Sequence, residues 1–126
     1  MKKHATEMSP AELDAAEAWF DETRSGITAN EVILKGEFDD APFGPVRDGI
    51  NLQKVKLVRV HARLDRAEEA FFTELTKALE PPSQQEIDET RRLTLALADR
   101  IIAEKTSQAV LALVDDLANF VTRVLA

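Results

Sequence analysis

The chain has 126 residues and a mass of 14.0 kDa, the size of one domain that can bury a core without disulfides or a structural metal. Its 16 Lys and Arg residues against 23 Asp and Glu residues leave a net charge of −7, which argues against a general coat protein for nucleic acids or anionic membranes. The absence of cysteine excludes disulfide frameworks, thiolate metal sites and cysteine nucleophiles. With only four glycines and five prolines, the sequence predicts an all-α fold: one helical bundle built on a long antiparallel helix hairpin.

The N-terminal sequence predicts a flexible tail over residues 1–8 and an amphipathic helix over 9–25. The tail is basic but leads into an acidic amphipathic stretch, so we expect no secretory signal and a cytoplasmic protein. Ser9, Pro10 and Glu12 form a capping box with proline at the first helical position. Apolar residues then recur at three- and four-residue spacing, and Gly26 offers a stop.

Residues 26–49 are expected to hold a short helix followed by an irregular loop. Thr28 begins a second capping box, although 31–38 is short and rich in β-branched residues, so a strand stays open as an alternative. The loop, from Gly36 to Gly49, holds three glycines and two prolines. One interpretation is a plain connection whose phenylalanines pin the loop onto the core. The other is a binding loop, since long stiffened loops often carry binding residues, and this one offers five candidates. These candidates are Phe38, Asp39, Asp40, Phe43 and Arg47.

A long second helix is predicted over 50–80, capped by Asp48 or Asn51 and ended by Pro81 and Pro82. Its segment 54–60 also alternates like a strand, and that alternative stays open. A third capping box at Ser83 opens 83–125, which has neither Gly nor Pro and forms one helix or two, depending on a polar gap at 105–108. We expect the second and last helices to form the hairpin through residues 80–82.

The last seventeen residues before Ala126 are apolar around most of the helix circumference, more than one flat neighbour can bury. Two interpretations are open: a central helix covered by its own chain, or an interface with a second copy or a partner. The sequence favours a homodimer, since two chains together would form an ordinary four-helix arrangement. The predicted self-association residues are Val110, Leu113, Val114, Leu117, Phe120, Val121 and Val124.

Two charged faces are further candidates for contacts. Lys56, Arg59, Arg63 and Arg66 step by three and four residues, so on a helix they share one face that could meet an acidic protein or phosphates. The simpler interpretation is that they pair internally with the acidic first helix. The acidic residues of that helix are Glu12, Asp14, Glu17, Asp21 and Glu22.

The sequence offers no convincing catalytic, cofactor or metal site. The E-x-x-H pattern of carboxylate-bridged bundles is absent, and adjacent acids such as Asp115 and Asp116 point about 100° apart on a helix. His61 has no evident carboxylate to orient it and is interpreted as a surface histidine. Ser9 and Ser83 are helix caps in this interpretation, so we expect no enzyme and no cofactor.

The predicted function is therefore a non-enzymatic protein–protein interaction module, acting as an adaptor, a chaperone-like protein or an inhibitor. The first alternative is an accessory nucleic-acid-binding protein that uses the basic face of residues 54–66. The second is an acidic mimic of nucleic acid that uses the first helix. A helix-turn-helix reader is rejected, because the second helix offers few basic side chains behind an acidic first one.

Overall fold

The computed structural model describes residues 1–103 and 108–126 and confirms the all-α fold. Four helices pack together: α1 (Pro10–Asp40), α2 (Pro45–Glu68), α3 (Gln84–Ala103) and α4 (Gln108–Leu125). A short 3₁₀ turn (Ala5–Glu7) precedes α1, and α2 continues into a π-helical turn (Glu69–Thr73). Among the described residues, no helix combines the length and apolar content needed to cross a lipid bilayer.

The helices occupy the four corners of a bundle in which α1 and α4 both border α2 and α3. Trp19 meets Thr90 and Asn30 meets Thr94, so α1 and α3 run parallel. By the same reasoning, Lys56 with Asp115 and Arg63 with Thr122 make α2 parallel to α4. The bundle therefore places two parallel pairs side by side, and α2 lies diagonally opposite α3.

The predicted hairpin between α2 and the helix that follows residues 80–82 is wrong, because the connection crosses the end of the bundle instead of turning back beside α2. Two backbone hydrogen bonds of 2.7 and 2.9 Å pair Lys3 with Leu79 and fix this crossing. Leu79 and Pro82 are buried under it. The hairpin that does form joins α3 to α4, so residues 83–125 hold two helices. Of the predicted polar gap, 105–107 lies outside the described residues.

The sequence predicted that the first helix ends at Gly26, but α1 continues to Asp40. Gly26 lies where α1 crosses α3, and a Cβ built there would lie 2.6 Å from the Thr94 Cβ. The glycine therefore permits a close approach of two helices and does not cap one. Asn30 secures the crossing by donating to the carbonyls of Gly26 at 2.8 Å and Thr94 at 3.0 Å. One continuous helix consequently replaces both the separate short helix and the strand alternative for 31–38.

The long loop predicted for 36–49 shrinks to residues 41–44. Helix α1 reaches Asp40, and α2 begins at Pro45 with Gly44 at its N-cap, where φ is +128°. Only glycine tolerates that φ without strain, so Gly44, and neither Asp48 nor Asn51, starts α2. The strand alternative for 54–60 is also wrong, since that segment lies inside α2.

Helix α2 ends well before Pro81, where the sequence placed its stop. After the π-helical turn, Leu75 adopts a φ of +58°, the left-handed conformation that ends many helices. The amides of Thr76 and Lys77 then both donate to the Ala70 carbonyl, at 2.9 and 3.2 Å. This closure satisfies a carbonyl at the end of the helix, and the chain turns away without help from proline.

Two glycines of α1 give a matched pair of stability predictions. We expect Gly26→Ala to lower the free energy of unfolding by about 1–3 kcal/mol, because the new methyl group forces α1 away from Thr94. Gly36→Ala meets nothing within 4 Å, so its gain in helix propensity should raise stability by about 0.5–1 kcal/mol. Urea unfolding followed by circular dichroism measures both. A neutral Gly26→Ala would contradict the close crossing.

Candidate functional site

The four predicted basic residues lie on the side of α2 that borders α4. Lys56 Nζ lies 3.0 Å from Asp115 Oδ1, and Arg63 donates to the Thr122 hydroxyl at 2.5 Å. Arg59 and Arg63 both line the surface between the two helices. One face of α2 thus carries the basic set, as its three- and four-residue spacing predicts.

The expected pairing of this basic face with the acidic first helix does not occur. Its carboxylate partners come instead from α4 and from the turn after α2: Asp115 pairs with Lys56, and both Glu74 oxygens lie 3.0 Å from Arg66 Nη1. Arg59 has no side-chain partner among the described residues, and the group that Arg63 binds is a neutral hydroxyl. Neutralisation of the basic face is therefore incomplete.

These residues border a groove between α2 and α4 that consists of two cavities. The groove comprises a larger cavity of about 640 Å³ and a smaller cavity of about 190 Å³, and Arg63 lines both. Ala67 and Leu125 are buried and form an apolar floor beneath the cations. The larger cavity is lined by Arg63, Arg66, Ala67, Ala70, Lys77, Thr122, Leu125 and Ala126. We call the two cavities together the basic groove.

Lys77 is a member of the basic groove that the sequence analysis missed. It lies beyond the end of α2, so no helical spacing links it to Arg63 and Arg66. The left-handed turn at Leu75 carries it back to the groove, where its amide bonds to Ala70. No side-chain partner of Lys77 is found in the described part of the chain. Leucine rarely adopts the left-handed conformation, so nothing in the sequence indicated that the chain turns at Leu75, before Pro81.

The opposite side of α2 is acidic and faces α1. Arg24 of α1 reaches Asp65 at 3.0 Å and Glu68 at 2.8 Å. Burial lowers the pKa of Arg24, but hydrogen bonds to Glu68 and Asp65 raise it, and the net direction is upward. Glu17 and Asp21 line a cavity of about 440 Å³ with these groups. Helix α2 therefore separates an acidic groove from a basic one.

We interpreted His61 as a surface histidine without a carboxylate to orient it, but the structure places it between two carboxylates. Its Nδ1 is 2.6 Å from Glu31 Oε1, and its Nε2 is 3.5 Å from Asp65 Oδ2. Asp65 follows His61 by four residues, so this helical neighbour was visible in the sequence. Glu31 comes from α1, and only the packing of α1 against α2 brings it to the imidazole. Three or more potential ligands for a metal ion do not converge among the described residues.

The five acids predicted as one face of the first helix point in different directions. Lys3 and the Ser9 cap bind Glu12, whose pKa is lowered first by the backbone hydrogen bond from Ser9 and then by Lys3. Arg91 of α3 binds Glu22 at 2.9 Å. Glu17 and Asp21 face α2, and Asp14 is exposed. The predicted acidic face is therefore divided among several surroundings.

The apolar residues predicted for self-association lie mostly in the core of their own chain. Leu113 is half-buried, and the other six are buried: Val110, Val114, Leu117, Phe120, Val121 and Val124. Helix α4 packs between α2 and α3, which cover the apolar surface that a single flat neighbour could not. The surplus of apolar surface on which the homodimer prediction rested is thus covered within one chain.

The predicted loop residues assemble at the end of the bundle away from the basic groove. The Arg47 guanidinium lies 4.2 Å from the Phe38 ring centre and 4.5 Å from that of Phe43, an arrangement typical of cation–π contacts. Phe38 is half-buried, whereas Phe43 is 92% exposed and does not pin the loop to the core. Lys35 binds Asp39 and lowers its pKa, and Asp40 is exposed.

Comparisons with protein-family models, curated protein sequences and solved structures found no match to this chain.

Light scattering on a sizing column tests whether α4 packs within one chain in solution. Because α2 and α3 already bury its apolar side, we expect a single species near 14.0 kDa at low and moderate salt. A mass of twice that value would contradict this expectation and leave the interface to be located. Leu113→Asp offers a check, because a half-buried residue at a true dimer interface would shift the mass when charged.

Proposed function

We propose that this chain is a non-enzymatic protein–protein interaction module whose basic groove binds an acidic segment of another protein. One observation carries the proposal: Arg59, Arg63 and Lys77 line the groove beside apolar side chains and have no carboxylate partner among the described residues. Such cations form charge-assisted hydrogen bonds with carboxylates, and the floor adds apolar contact area. Adaptor, chaperone-like and inhibitory roles all use a surface of this kind.

A partner bound in the groove interacts mainly with the cations next to it, and the net negative charge of the whole protein matters less. At physiological ionic strength the screening length is about 8 Å, so the distant acids of α1 contribute little at the groove. Binding to an unpaired cation also costs less free energy than binding to a cation that must first break an internal salt bridge. The −7 net charge acts mainly against non-specific polyanions, which helps discrimination between partners.

A protein partner is favoured over nucleic acid by the lining of the groove. No aromatic side chain for base stacking lines it in the described part of the chain. Binding of a duplex also uses cations spread over several phosphates, whereas two of these cations already hold Asp115 and Glu74. The proposal places the protein in the cytoplasm, and its cysteine-free sequence suits a reducing compartment.

A double charge reversal tests the proposal. We expect Arg59→Glu/Arg63→Glu to abolish the capture of interacting proteins from a nuclease-treated lysate, because both side chains border the groove and are exposed. Lys2→Glu/Lys35→Glu is the matched control: it changes the net charge equally at exposed positions away from the groove. Proteins captured by the wild type and the control alone are then purified, and their affinities are measured directly at two salt concentrations.

Two results would contradict this function. If the double variant captures the same proteins as the wild type, the groove is not the binding surface. If proteins are captured from an untreated lysate but not from the nuclease-treated one, and purified DNA or RNA binds with a steep salt dependence, the chain acts as an accessory nucleic-acid-binding protein. Circular dichroism of each variant verifies that the fold is retained.

A further inference from the structure

Two acidic side chains of this chain already bind cations of the basic groove. Glu74 places both carboxylate oxygens 3.0 Å from Arg66 Nη1 at one end, and Asp115 lies 3.0 Å from Lys56 Nζ at the other. Glu74 directly precedes Leu75, whose left-handed backbone turns the chain back toward α2. The two positions show where and how a carboxylate is received in this groove.

Between these two carboxylates, the groove leaves room for further ones. Lys56 and Arg66 are ten positions apart on α2, which corresponds to about 15 Å or three helical turns. Arg59 and Arg63 fall within this span and lack carboxylate partners among the described residues. A partner segment that places acids at a spacing of about one turn would meet them in sequence.

The shape and polarity of the floor favour a helical segment over an extended one. The groove runs between two parallel helices, and the side chains at its base include the small Ala67, Ala70 and Ala118. Small side chains allow a third helix to approach closely, as helices pack ridge into groove. Helices α2 and α4 offer no sheet edge to pair with the amides of an extended peptide, whereas a helix satisfies its own amides internally.

Resting on the proposed function, we infer that the partner segment is an acidic amphipathic helix that lies in the basic groove. Its apolar stripe contacts the floor formed by Ala67 and Leu125 and the adjacent Ala70, and its carboxylates bind Arg59 and Arg63. Glu74 and Asp115 compete with it, because they hold Arg66 and Lys56 in the free protein. Removing either internal acid should therefore strengthen binding.

Fluorescence anisotropy with a designed probe tests this inference on the full chain. The probe is a labelled peptide of about 18 residues, or five helical turns, with Glu on one helical face and Leu and Ala beside it. A scrambled peptide of the same composition is its control, and we expect it to bind at least about ten-fold more weakly, since its charges no longer share one face. Glu74→Gln and Asp115→Asn should each tighten binding of the helical probe about two- to five-fold, the range typical of exposed charge pairs.

Asp14→Asn is the control variant, because it removes the same charge from an exposed position on α1. It should change the affinity less than about two-fold, since screening weakens the effect of a distant charge. An equal gain for this variant would show that net charge alone controls binding and would overturn the competition by Glu74 and Asp115. Since the key variants are expected to gain affinity, loss of folding cannot imitate the expected result.

The remaining outcomes separate the inference from the function on which it rests. If both peptides bind equally and Arg59→Glu/Arg63→Glu abolishes their binding, the helical partner is wrong but acidic recognition stands. If neither peptide binds and the double variant captures the same proteins as the wild type, both are wrong. If a single-stranded oligonucleotide of similar length competes better than the helical peptide, the groove recognises phosphates and the inference fails.

Discussion

The close crossing of α1 and α3 is the contact on which the rest of this bundle depends. Gly26 lets the two backbones approach at Thr94, and Asn30 ties both helices together through backbone carbonyls. Two turns nearer the start of α1, the Trp19 indole donates to the Thr90 hydroxyl at 3.0 Å in the buried core. Because a buried N–H donor without an acceptor is costly, these bonds favour one register of the crossing.

That register determines where the other two helices can lie. With α1 and α3 parallel and in contact, the connection from α2 must cross the end of the bundle to reach α3, and the backbone pairing of Lys3 with Leu79 holds it there. Helix α4 then fills the corner between α2 and α3. This position explains why α4 is apolar around most of its circumference: α2 and α3 pack against two of its sides, and α1 occupies the diagonally opposite corner.

Helix α2 turns this architecture into two grooves of opposite charge. Asp65 and Glu68 face α1, where Arg24 binds them, while Arg59 and Arg63 face α4. The acidic side is balanced in part by Arg24, and His61 lies there beside Glu31. Among the residues that the structure describes, the basic side has fewer carboxylate partners than cations, and this difference makes it the better candidate for contact with another molecule.

The sequence alone determined the elements that depend on local chemistry. Capping boxes at Ser9 and Ser83 place helix starts correctly, and the spacing of Lys56, Arg59 and Arg63 places them on one face of α2, because both patterns act within one or two turns. Tertiary structure alone decided the role of Gly26, the covering of α4, the contact of His61 with Glu31 and the place of Lys77. Each of these depends on residues that are far apart in the chain and meet only when the helices pack. The local sequence around a glycine, an apolar residue or a charged residue does not indicate which distant residue it will contact.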